Sequence, residues 1–262
     1  MFECTLIQGE LFRKLIVSIQ DLVQDGNFMC DSNGISLQGM DSSHVALVAM
    51  ALKKEGFADY RCDRDVTLGI NFANLGKILK CMGSKDRLSI RAQEEGDSAL
   101  FVFESEDSNR MSNFELKLMQ IDQEQLGVPE TQYKAVIRMP SSELQRICKD
   151  LSAIGDTVSI SATKEGIKFS VGGDIGSGDM TLRQSDSGEV DGDDSEKIMI
   201  ELEEPVQQNF ALRYLNNFTK ASSLSSMVTL SLGTDMPLVI EYKMDNLGYI
   251  RYYLAPKIDD EA

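Results

Sequence analysis

The chain repeats one pattern of residues after about half of its 262 positions, and this repeat limits the folds available to it. Three pairs of segments show the repeat, at offsets of 133, 132 and 138 positions: Glu10-Leu11-x-Arg13-Lys14 with Glu143-Leu144-x-Arg146-x-x-Lys149, Gly34-Ile35 with Gly166-Ile167, and Phe72-Ala73 with Phe210-Ala211. A repeat of this length predicts two similar domains of ordinary size. We expect a first domain over residues 1–117, a linker over 118–134, and a second domain with a short acidic tail over 135–262.

Apolar residues alternate with a period of two in both halves, which is typical of antiparallel strands with one buried face. Turn residues separate these runs, as at Ser32-Asn33-Gly34 and Lys164-Glu165-Gly166. Together with four helical segments, the strands predict an α+β fold of two similar antiparallel-sheet domains with helices on one face. The alternating residues are Leu100 and Val102; Val158 and Ile160; Ile167, Phe169 and Val171; Ile198, Ile200 and Leu202; Val228, Leu230 and Leu232; and Leu238, Ile240 and Tyr242.

The four segments predicted to be helical (10–20, 72–80, 141–149 and 210–220) are basic, although the whole chain has a net charge of −16. Their apolar residues fall on one side, as Leu144, Ile147, Cys148 and Leu151 do. Such segregation predicts one surface for a polyanion on a protein that otherwise repels it. The basic residues are Arg13, Lys14, Lys77, Lys80, Arg146, Lys149, Arg213 and Lys220.

Residues of the kind that carry catalysis are sparse. His44 is the single histidine, and its neighbouring serines would point to opposite faces of a strand, so we interpret it as a surface residue. Gly172–Gly178 is glycine-rich but is not followed by a helix, so we interpret it as a loop and not as a phosphate cradle. The acidic run 191–194 lacks calcium-loop spacing. We therefore predict no enzymatic activity, no cofactor and no metal.

The composition also bears on location. Five scattered cysteines without C-x-x-C spacing favour reduced thiols inside a cell: Cys4, Cys30, Cys62, Cys81 and Cys148. No apolar run approaches the roughly 20 residues of a membrane span, and the N-terminus does not resemble a secretory signal. We expect no membrane partner.

Several long segments in collinear order resemble the eukaryotic proliferating cell nuclear antigen family of DNA sliding clamps, over essentially the whole chain. These segments are MDSSHVALV (40–48), EGF (55–57), YRCDR (60–64), KILKC (77–81), EQLGVPE (124–130), FALRYLNNFTKA (210–221), DMPLVIEY (235–242) and YYLAPKI (252–258). The resemblance implies the DNA clamp fold and a nuclear homotrimeric ring whose helices line a central hole. It further implies a processivity factor that encircles duplex DNA without reading its sequence.

The resemblance also implies site residues. The eight basic helix residues face DNA, while Gln20 and Ala153 depart from the family pattern, in which a basic residue or histidine occupies these positions. The ring closes where the strand 110–117 of one subunit meets the strand 177–182 of the next, and Lys164 carries ubiquitin-like modification connected with translesion synthesis. The residues expected at the subunit edges are Arg110, Ser112, Phe114, Leu116, Ser177, Gly178 and Met180.

A peptide groove is the remaining surface implied by the resemblance. It binds a short motif of Gln, an aliphatic residue and two aromatic residues, carried by DNA polymerases, the clamp loader, flap endonuclease and DNA ligase. A hydrophobic groove with a polar rim suits such a helical anchor. Its expected residues are Met40, His44, Val45, Leu126, Val128, Pro129, Tyr133, Pro237, Tyr253, Ala255, Pro256 and Ile258.

Two alternatives remain open at the level of sequence. One is a subunit of a heterotrimeric checkpoint clamp, which has the same fold but unlike neighbours in its ring. The other is an acidic hydrolase, which would need two carboxylates converging in one cleft.

Overall fold

The computed structural model describes residues 1–107, 109–122, 126–127, 132–185 and 197–258. Contacts divide the chain into two compact units. The first unit comprises Met1–Gly127 and Met244–Ile250, and the second comprises Val128–Lys243 and Arg251–Ala262. The division along the chain thus falls inside the stretch 118–134 that the sequence marks as a linker.

Nine strands and two α-helices follow one another through the described part of the first half, with a short 3-10 helix at Lys54–Gly56 after the fourth strand. Their bounds in chain order are β1 Phe2–Leu6, α1 Gly9–Ile19, β2 Asp25–Cys30, β3 Gly34–Met40, β4 Ala46–Lys53, β5 Asp59–Cys62, β6 Val66–Asn71, α2 Phe72–Leu79, β7 Arg87–Ala92, β8 Ser98–Glu104 and β9 Met111–Lys117.

The described part of the second half repeats this order, with a 3-10 helix at Thr219–Ser223 after its second α-helix. The bounds are β10 Ala135–Pro140, α3 Ser141–Leu151, β11 Thr157–Thr163, β12 Gly166–Gly173, β13 Gly176–Leu182, β14 Met199–Leu202, β15 Val206–Ala211, α4 Leu212–Phe218, β16 Met227–Leu232, β17 Leu238–Met244 and β18 Gly248–Leu254.

The strand order within each unit also repeats. In the first unit the strands are ordered β5-β1-β7-β8-β9 and β4-β3-β2-β6, and in the second they are ordered β14-β10-β16-β17 and β13-β12-β11-β15. Neighbouring strands in these four orders run antiparallel; Cys4 on β1, for example, lies opposite both Tyr60 and Ile90. The predicted α+β class and the internal repeat are both confirmed.

A pair of glycines marks the repeat most clearly. Gly34 and Gly166 begin β3 and β12 with φ values of +150° and +142°, which residues bearing a Cβ rarely adopt. A Cβ at either position would also collide with a backbone carbonyl of the next strand, at Leu52 or Leu182. The same hairpin is therefore built twice, 132 residues apart.

Aromatic side chains connect helices to sheets in each core. In the first unit, Phe28 of β2 packs against Phe12 of α1 and Phe72 of α2, with ring centroids 6.1 Å and 5.8 Å apart. In the second unit, Phe218 of α4 stacks on Tyr252 of β18 at 4.6 Å. All five side chains are almost completely buried, so these rings hold the helices in fixed positions against the strands.

The structure corrects the predicted start of the fourth helix. Phe210 and Ala211 are the last residues of β15, where Phe210 pairs with Val158, and α4 begins only at Leu212. Phe210 alternates inward like the other strand residues, so its apolar side chain does not signal a helix. The structurally equivalent first residues of these helices are Phe72 of α2 and Leu212 of α4. The pairing of Phe72 with Phe210 in the sequence repeat is therefore two residues out of register.

Two other interpretations were wrong in detail. On β8, the completely buried residues are Ala99, Phe101 and Phe103, and not the predicted alternation of Leu100 and Val102, because Leu100 is only half-buried. The glycine-rich stretch 172–178 is a hairpin between β12 and β13 and not a loop, since Gly172 pairs with Ser177 and Gly173 with Gly176. Residues 186–196, which include the acidic run, and the tail 259–262 lie outside the described residues.

The buried thiol of Cys148 on α3 predicts a loss of stability in alkali. Burial raises its pKa from 9.0 to about 12. Between these values the unfolded chain loses a proton that the folded chain keeps, so the free energy of unfolding falls as the pH rises through the window. From pH 8 to pH 10.5, the stability advantage of the wild type over Cys148→Ala should shrink by about 1–2 kcal/mol in urea denaturation.

Cys81→Ala removes a thiol from an exposed position and is the matched control. A difference between wild type and Cys148→Ala that stays constant across the window would show that this thiol does not ionise on unfolding.

Candidate functional site

The basic side chains of the first unit lie on the polar sides of α1 and α2. Arg13 forms an ion pair with Glu10 one turn earlier at 2.5 Å and donates to the carbonyl of Met82 at 3.4 Å. Lys77 is exposed and lies 3.3 Å from the Asn74 amide oxygen. Lys80 is also exposed, at the C-cap of α2, where a cation is favoured by the helix dipole.

These positions follow from the apolar stripe of each helix. On α2, the buried side is formed by Phe72, Leu75 and Leu79, so a lysine two positions after Leu75 must point away from the core. Lys14 is half-buried on α1, where its aliphatic stem is partly covered. Gln20 follows α1 and its amide lies against Gly76 of α2. The Gln20 side chain therefore lies between α1 and α2 and contributes no charge to this surface.

The second unit presents its basic residues on α3 and beside α4. Arg146 forms an ion pair with Glu143 at 2.5 Å, which repeats the Arg13–Glu10 pair of α1. Lys149 is exposed one turn later. A cleft of 520 Å³ between α3 and α4 brings these two cations together with polar side chains: Ser142, Gln145, Asp150, Asn216 and Thr219.

The other two cations of the second unit are held by neighbouring side chains. Arg213 lies over the ring of Tyr214, with 4.9 Å between the guanidinium carbon and the ring centroid. Lys220, in the 3-10 helix after α4, donates to the Asn217 side chain at 3.0 Å. Ala153, the second departure from the family pattern, is exposed in the turn after α3. All eight basic residues therefore lie on or directly beside the four helices, none of them in a core.

The predicted subunit edges are edge strands within their own units. In the described residues, β9 pairs only with β8, and β13 pairs only with β12. Each therefore leaves one row of backbone N–H and C=O groups open to another strand.

The side chains of β9 and β13 differ in how far they are buried. On β9, Ser112, Phe114 and Leu116 share one side; the Phe114 ring packs 5.2 Å from Phe103, and Leu116 is buried in its own unit. On β13, Ser177 is exposed and Met180 is half-buried. One side of β9 thus packs on its own unit, while Met111, Asn113, Glu115 and Lys117 on the other side are exposed and the backbone edge remains available.

Arg110 has a role that the sequence did not reveal. Its guanidinium donates to both oxygens of Asp86, at 2.9 and 2.8 Å, directly before β9 begins. Asp86 is only 6% exposed; its carboxylate also accepts from the N–H of Gly83, and its carbonyl accepts from the N–H of Gly9. Asp86 thus holds together the loop before β7 and the start of β9 through its buried carboxylate, and the start of α1 through its backbone carbonyl.

The predicted groove residues of the first unit surround a tight turn after β3. The Asp41 carboxylate accepts from the backbone N–H groups of Ser43, Val45 and Ala46, at 2.7–3.1 Å. His44 is exposed in this turn with φ +58°. Met40 and Val45 are half-buried on either side of it. This turn therefore fixes the spacing of three of the predicted residues.

Two further residues share the half-buried face of β3 and β4. Leu47 lies directly opposite Met40 in the antiparallel register, and Gln38 lies two positions before Met40. The side chain of Gln38 bonds to the backbone of Leu126, a predicted groove residue that is 44% exposed. Neither Gln38 nor Leu47 has a distinguishing sequence signal, because any strand residue of this parity would look the same.

The groove residues of the second unit lie near its last strand. Tyr253 on β18 is half-buried, and burial together with the nearby Tyr253 raises the pKa of Tyr133. Pro237 and Ala255 are exposed, and Ile258 is 90% exposed. Val128 and Pro129 lie outside the described residues.

A cleft of 380 Å³ contains two of these residues, Pro256 and Ile258, beside polar residues that the sequence analysis missed: Gln207, Gln208, Asn209, Asp235 and Lys257. The Lys257 N–H donates to the Asn209 carbonyl at 2.7 Å, which attaches the C-terminal segment to β15. The Ile258 side chain is therefore exposed on a segment whose backbone is held in place by this bond.

Lys164 is exposed in the turn between β11 and β12. The N–H of Glu165 bonds to the Thr163 hydroxyl at 3.2 Å across this turn. The Lys164 amine is therefore accessible on a well-formed hairpin.

Two antiparallel-sheet units of equal topology, each with two basic helices, define the clamp class of proteins. Comparison with protein families agrees: residues 1–126 match the N-terminal domain of proliferating cell nuclear antigen, and residues 127–257 match its C-terminal domain. The chain therefore belongs to the proliferating cell nuclear antigen family of DNA sliding clamps. Members of this family are non-catalytic scaffolds that act on DNA in replication and repair, and in eukaryotes this implies a nuclear location.

None of the helices in the described ranges is both long and apolar enough to cross a membrane. Among the same residues, no three His, Cys, Asp or Glu side chains are grouped so that they could hold a metal ion.

The Asp86–Arg110 contact predicts a stability effect that can be isolated. Asp86→Asn keeps the shape of the side chain but removes the charge that Arg110 faces. Hydrogen bonds to charged groups contribute about 1.5–3 kcal/mol, and the half-exposed Arg110 reduces this, so we expect a loss of about 1–2 kcal/mol in urea denaturation at fixed protein concentration.

Lys85→Ala is the matched control, since it breaks the neighbouring but exposed Lys85–Glu106 pair and should change stability little. If Asp86→Asn were as stable as Lys85→Ala, the carboxylate would not hold β9 in place.

Proposed function

We propose that this protein is a homotrimeric sliding clamp that encircles duplex DNA and tethers polymerases and repair enzymes to it. The observation that carries the proposal is the placement of eight basic side chains on four helices of a protein whose net charge is −16. A protein held by general charge attraction would be basic overall. Here attraction is confined to the helices, and the acidic remainder repels phosphates.

The mechanism is topological. A closed ring cannot leave a duplex sideways, so tight phosphate contacts are unnecessary and would hinder sliding. The cations on the helices suit weak phosphate contacts because most are already partly engaged. Arg13 and Arg146 form ion pairs with glutamates, and Lys77 and Lys220 form hydrogen bonds with asparagine side chains. They make weak, mobile contacts with the backbone and do not read bases.

Ring closure is supported by the two edge strands. The open edge of β9 in one subunit pairs with the open edge of β13 in the next, which is a heterologous contact that closes after three subunits. Gly178 lies on β13, and a Cβ there would already approach the Ile154 Cδ1 of the same chain at 3.0 Å. A larger residue at this position would therefore press against Ile154 and shift the edge strand that pairs with the next subunit.

Partner peptides dock on the predicted groove residues, which are Met40, His44, Val45 and Leu126 in the first unit and the segment 255–258 in the second unit. DNA polymerases, the clamp loader, flap endonuclease and DNA ligase carry the short peptide with Gln, an aliphatic residue and two aromatic residues. The exposed apolar side chains of Leu126 and Ile258 suit the aromatic anchors, which carry most of the energy in such interfaces. Lys164 on its exposed hairpin takes ubiquitin-like modification for translesion synthesis.

Charge reversal on α2 should weaken the interaction with DNA and leave the fold intact. In Lys77→Glu with Lys80→Glu, both changes are at exposed positions away from the apolar stripe. We expect less clamp-stimulated DNA synthesis. The slope of DNA affinity against salt should fall by about 0.9 for each phosphate that the variant no longer neutralises.

Lys53→Glu with Lys54→Glu changes the net charge equally at exposed positions outside the α-helices and is the matched control. If both double variants lost synthesis to the same extent, general charge and not the helix surface would be responsible.

The assembly should have three times the 29.1 kDa mass of one chain when light scattering is measured during size-exclusion chromatography at micromolar concentration. Gly178→Val should shift the mass towards the monomer, because the added side chain presses against Ile154 and displaces the edge of β13.

Gly172→Val is the control, since it lies on the adjoining strand, opposite Ser177, with open space around it. A wild-type protein that stays monomeric alone but forms a ring with unlike chains would establish the heterotrimeric checkpoint clamp instead.

A further inference from the structure

The side chain of Gln38 forms two hydrogen bonds with one backbone residue of the segment that joins the two halves of the chain. Its amide nitrogen donates to the carbonyl of Leu126 at 2.8 Å, and its amide oxygen accepts from the N–H of Leu126 at 2.6 Å. An amide side chain can do this because it carries a donor and an acceptor side by side. The arrangement copies one step of a β-ladder, and it satisfies both backbone groups of Leu126.

Gln38 lies where it can connect this segment to the groove. On β3, Gln38 and Met40 are two positions apart and therefore on the same face, while Leu37 and Gly39 face the core. Leu126 is thus held on the same face of β3 as Met40, with its own side chain 44% exposed.

In the described residues the same segment is attached at three earlier points, the first being the N–H of Leu118, which donates to the Asp97 carbonyl at 2.8 Å. The N–H of Met119 donates to the Gly69 carbonyl of β6 at 2.8 Å, and the Asn27 side chain donates to the Ile121 carbonyl at 3.0 Å. These contacts fix the start of the segment, but they lie at least five residues before Leu126. Among the hydrogen bonds of the described residues, those of Gln38 are the ones that hold Leu126 itself.

We propose that Gln38 is a positioning residue for partner binding: its amide holds the backbone of Leu126 so that the Leu126 side chain is ready to receive an apolar anchor of a partner peptide. The inference rests on the proposed function of the groove. Gln38 need not touch the peptide. It reduces the conformational entropy that binding would otherwise cost, which is how pre-organisation increases affinity.

A double-mutant cycle between Gln38 and Leu126 tests this. The probe is a fluorescein-labelled synthetic peptide with Gln, an aliphatic residue and two aromatic residues, titrated into the full-length protein. We expect Leu126→Ala to weaken binding about tenfold or more and Gln38→Ala to weaken it about fivefold, as two modest hydrogen bonds would. In the Leu126→Ala background, Gln38→Ala should weaken binding less than about twofold further.

Gln38→Glu provides an isosteric second variant, because a carboxylate can still accept from the Leu126 N–H but cannot donate to its carbonyl. It should weaken binding at least as much as Gln38→Ala. The control is Gln93→Ala, in the exposed turn between β7 and β8, which should bind like wild type. Light scattering on each variant should give an unchanged assembly mass.

Hydrogen exchange of the Leu126 amide, measured in the absence of peptide, shows whether Gln38 holds the Leu126 backbone independently of peptide binding. Faster exchange in Gln38→Ala together with the expected cycle supports the proposal. Fully additive losses, or unchanged peptide affinity in Gln38→Ala, would overturn it. If Leu126→Ala itself bound like wild type, the groove of the proposed function would be misplaced, whatever the exchange rates showed.

Discussion

The burial of one apolar side of each helix is the interaction on which the proposed DNA-facing surface depends. Phe12 and Phe72 enter the core from α1 and α2 and meet on Phe28, while Leu212, Leu215 and Phe218 do the same for α4. Since the core determines which side of a helix is hidden, it also determines which side carries the cations. The charge pattern is therefore a consequence of hydrophobic packing, and it would be lost if any helix rotated by a third of a turn.

The sheet edges impose the second constraint. A strand with one unpaired side is an aggregation hazard unless it is covered or given a partner. The proposed ring gives the open edges of β9 and β13 a complementary partner, and the contact of Arg110 with the buried Asp86 fixes the residue directly before β9. The Asp86 carbonyl also accepts from the Gly9 N–H of α1, so the edge strand and a basic helix depend on one residue.

The segment that joins the halves illustrates how a connection becomes part of a binding site. The segment is acidic and lacks strand-like alternation after Ile121, and yet Met119, Ile121 and Leu126 are each attached to the first unit through their backbone groups. Because Leu126 is held through its backbone, its side chain remains free to contact a partner, whereas packing the side chain into a core would bury it. The polar character that makes this segment resemble a free linker is therefore also what allows its precise placement.

Local patterns were sufficient to predict much of this protein. Period-two alternation, amphipathic stripes and the repeat of Gly34 at Gly166 predicted the α+β class, the two halves and the eight basic residues, because each depends on neighbours within a few positions. The boundary at Phe210 was missed because an inward strand residue and a buried helix residue are equally apolar. Asp86 with Arg110, and Gln38 with Leu126, could not be predicted, since their partners lie 24 and 88 residues away and nothing local distinguishes them. Long-range hydrogen bonds of this kind are decided only when the folded chain brings the two residues together, and for the buried Asp86 desolvation then favours a partner.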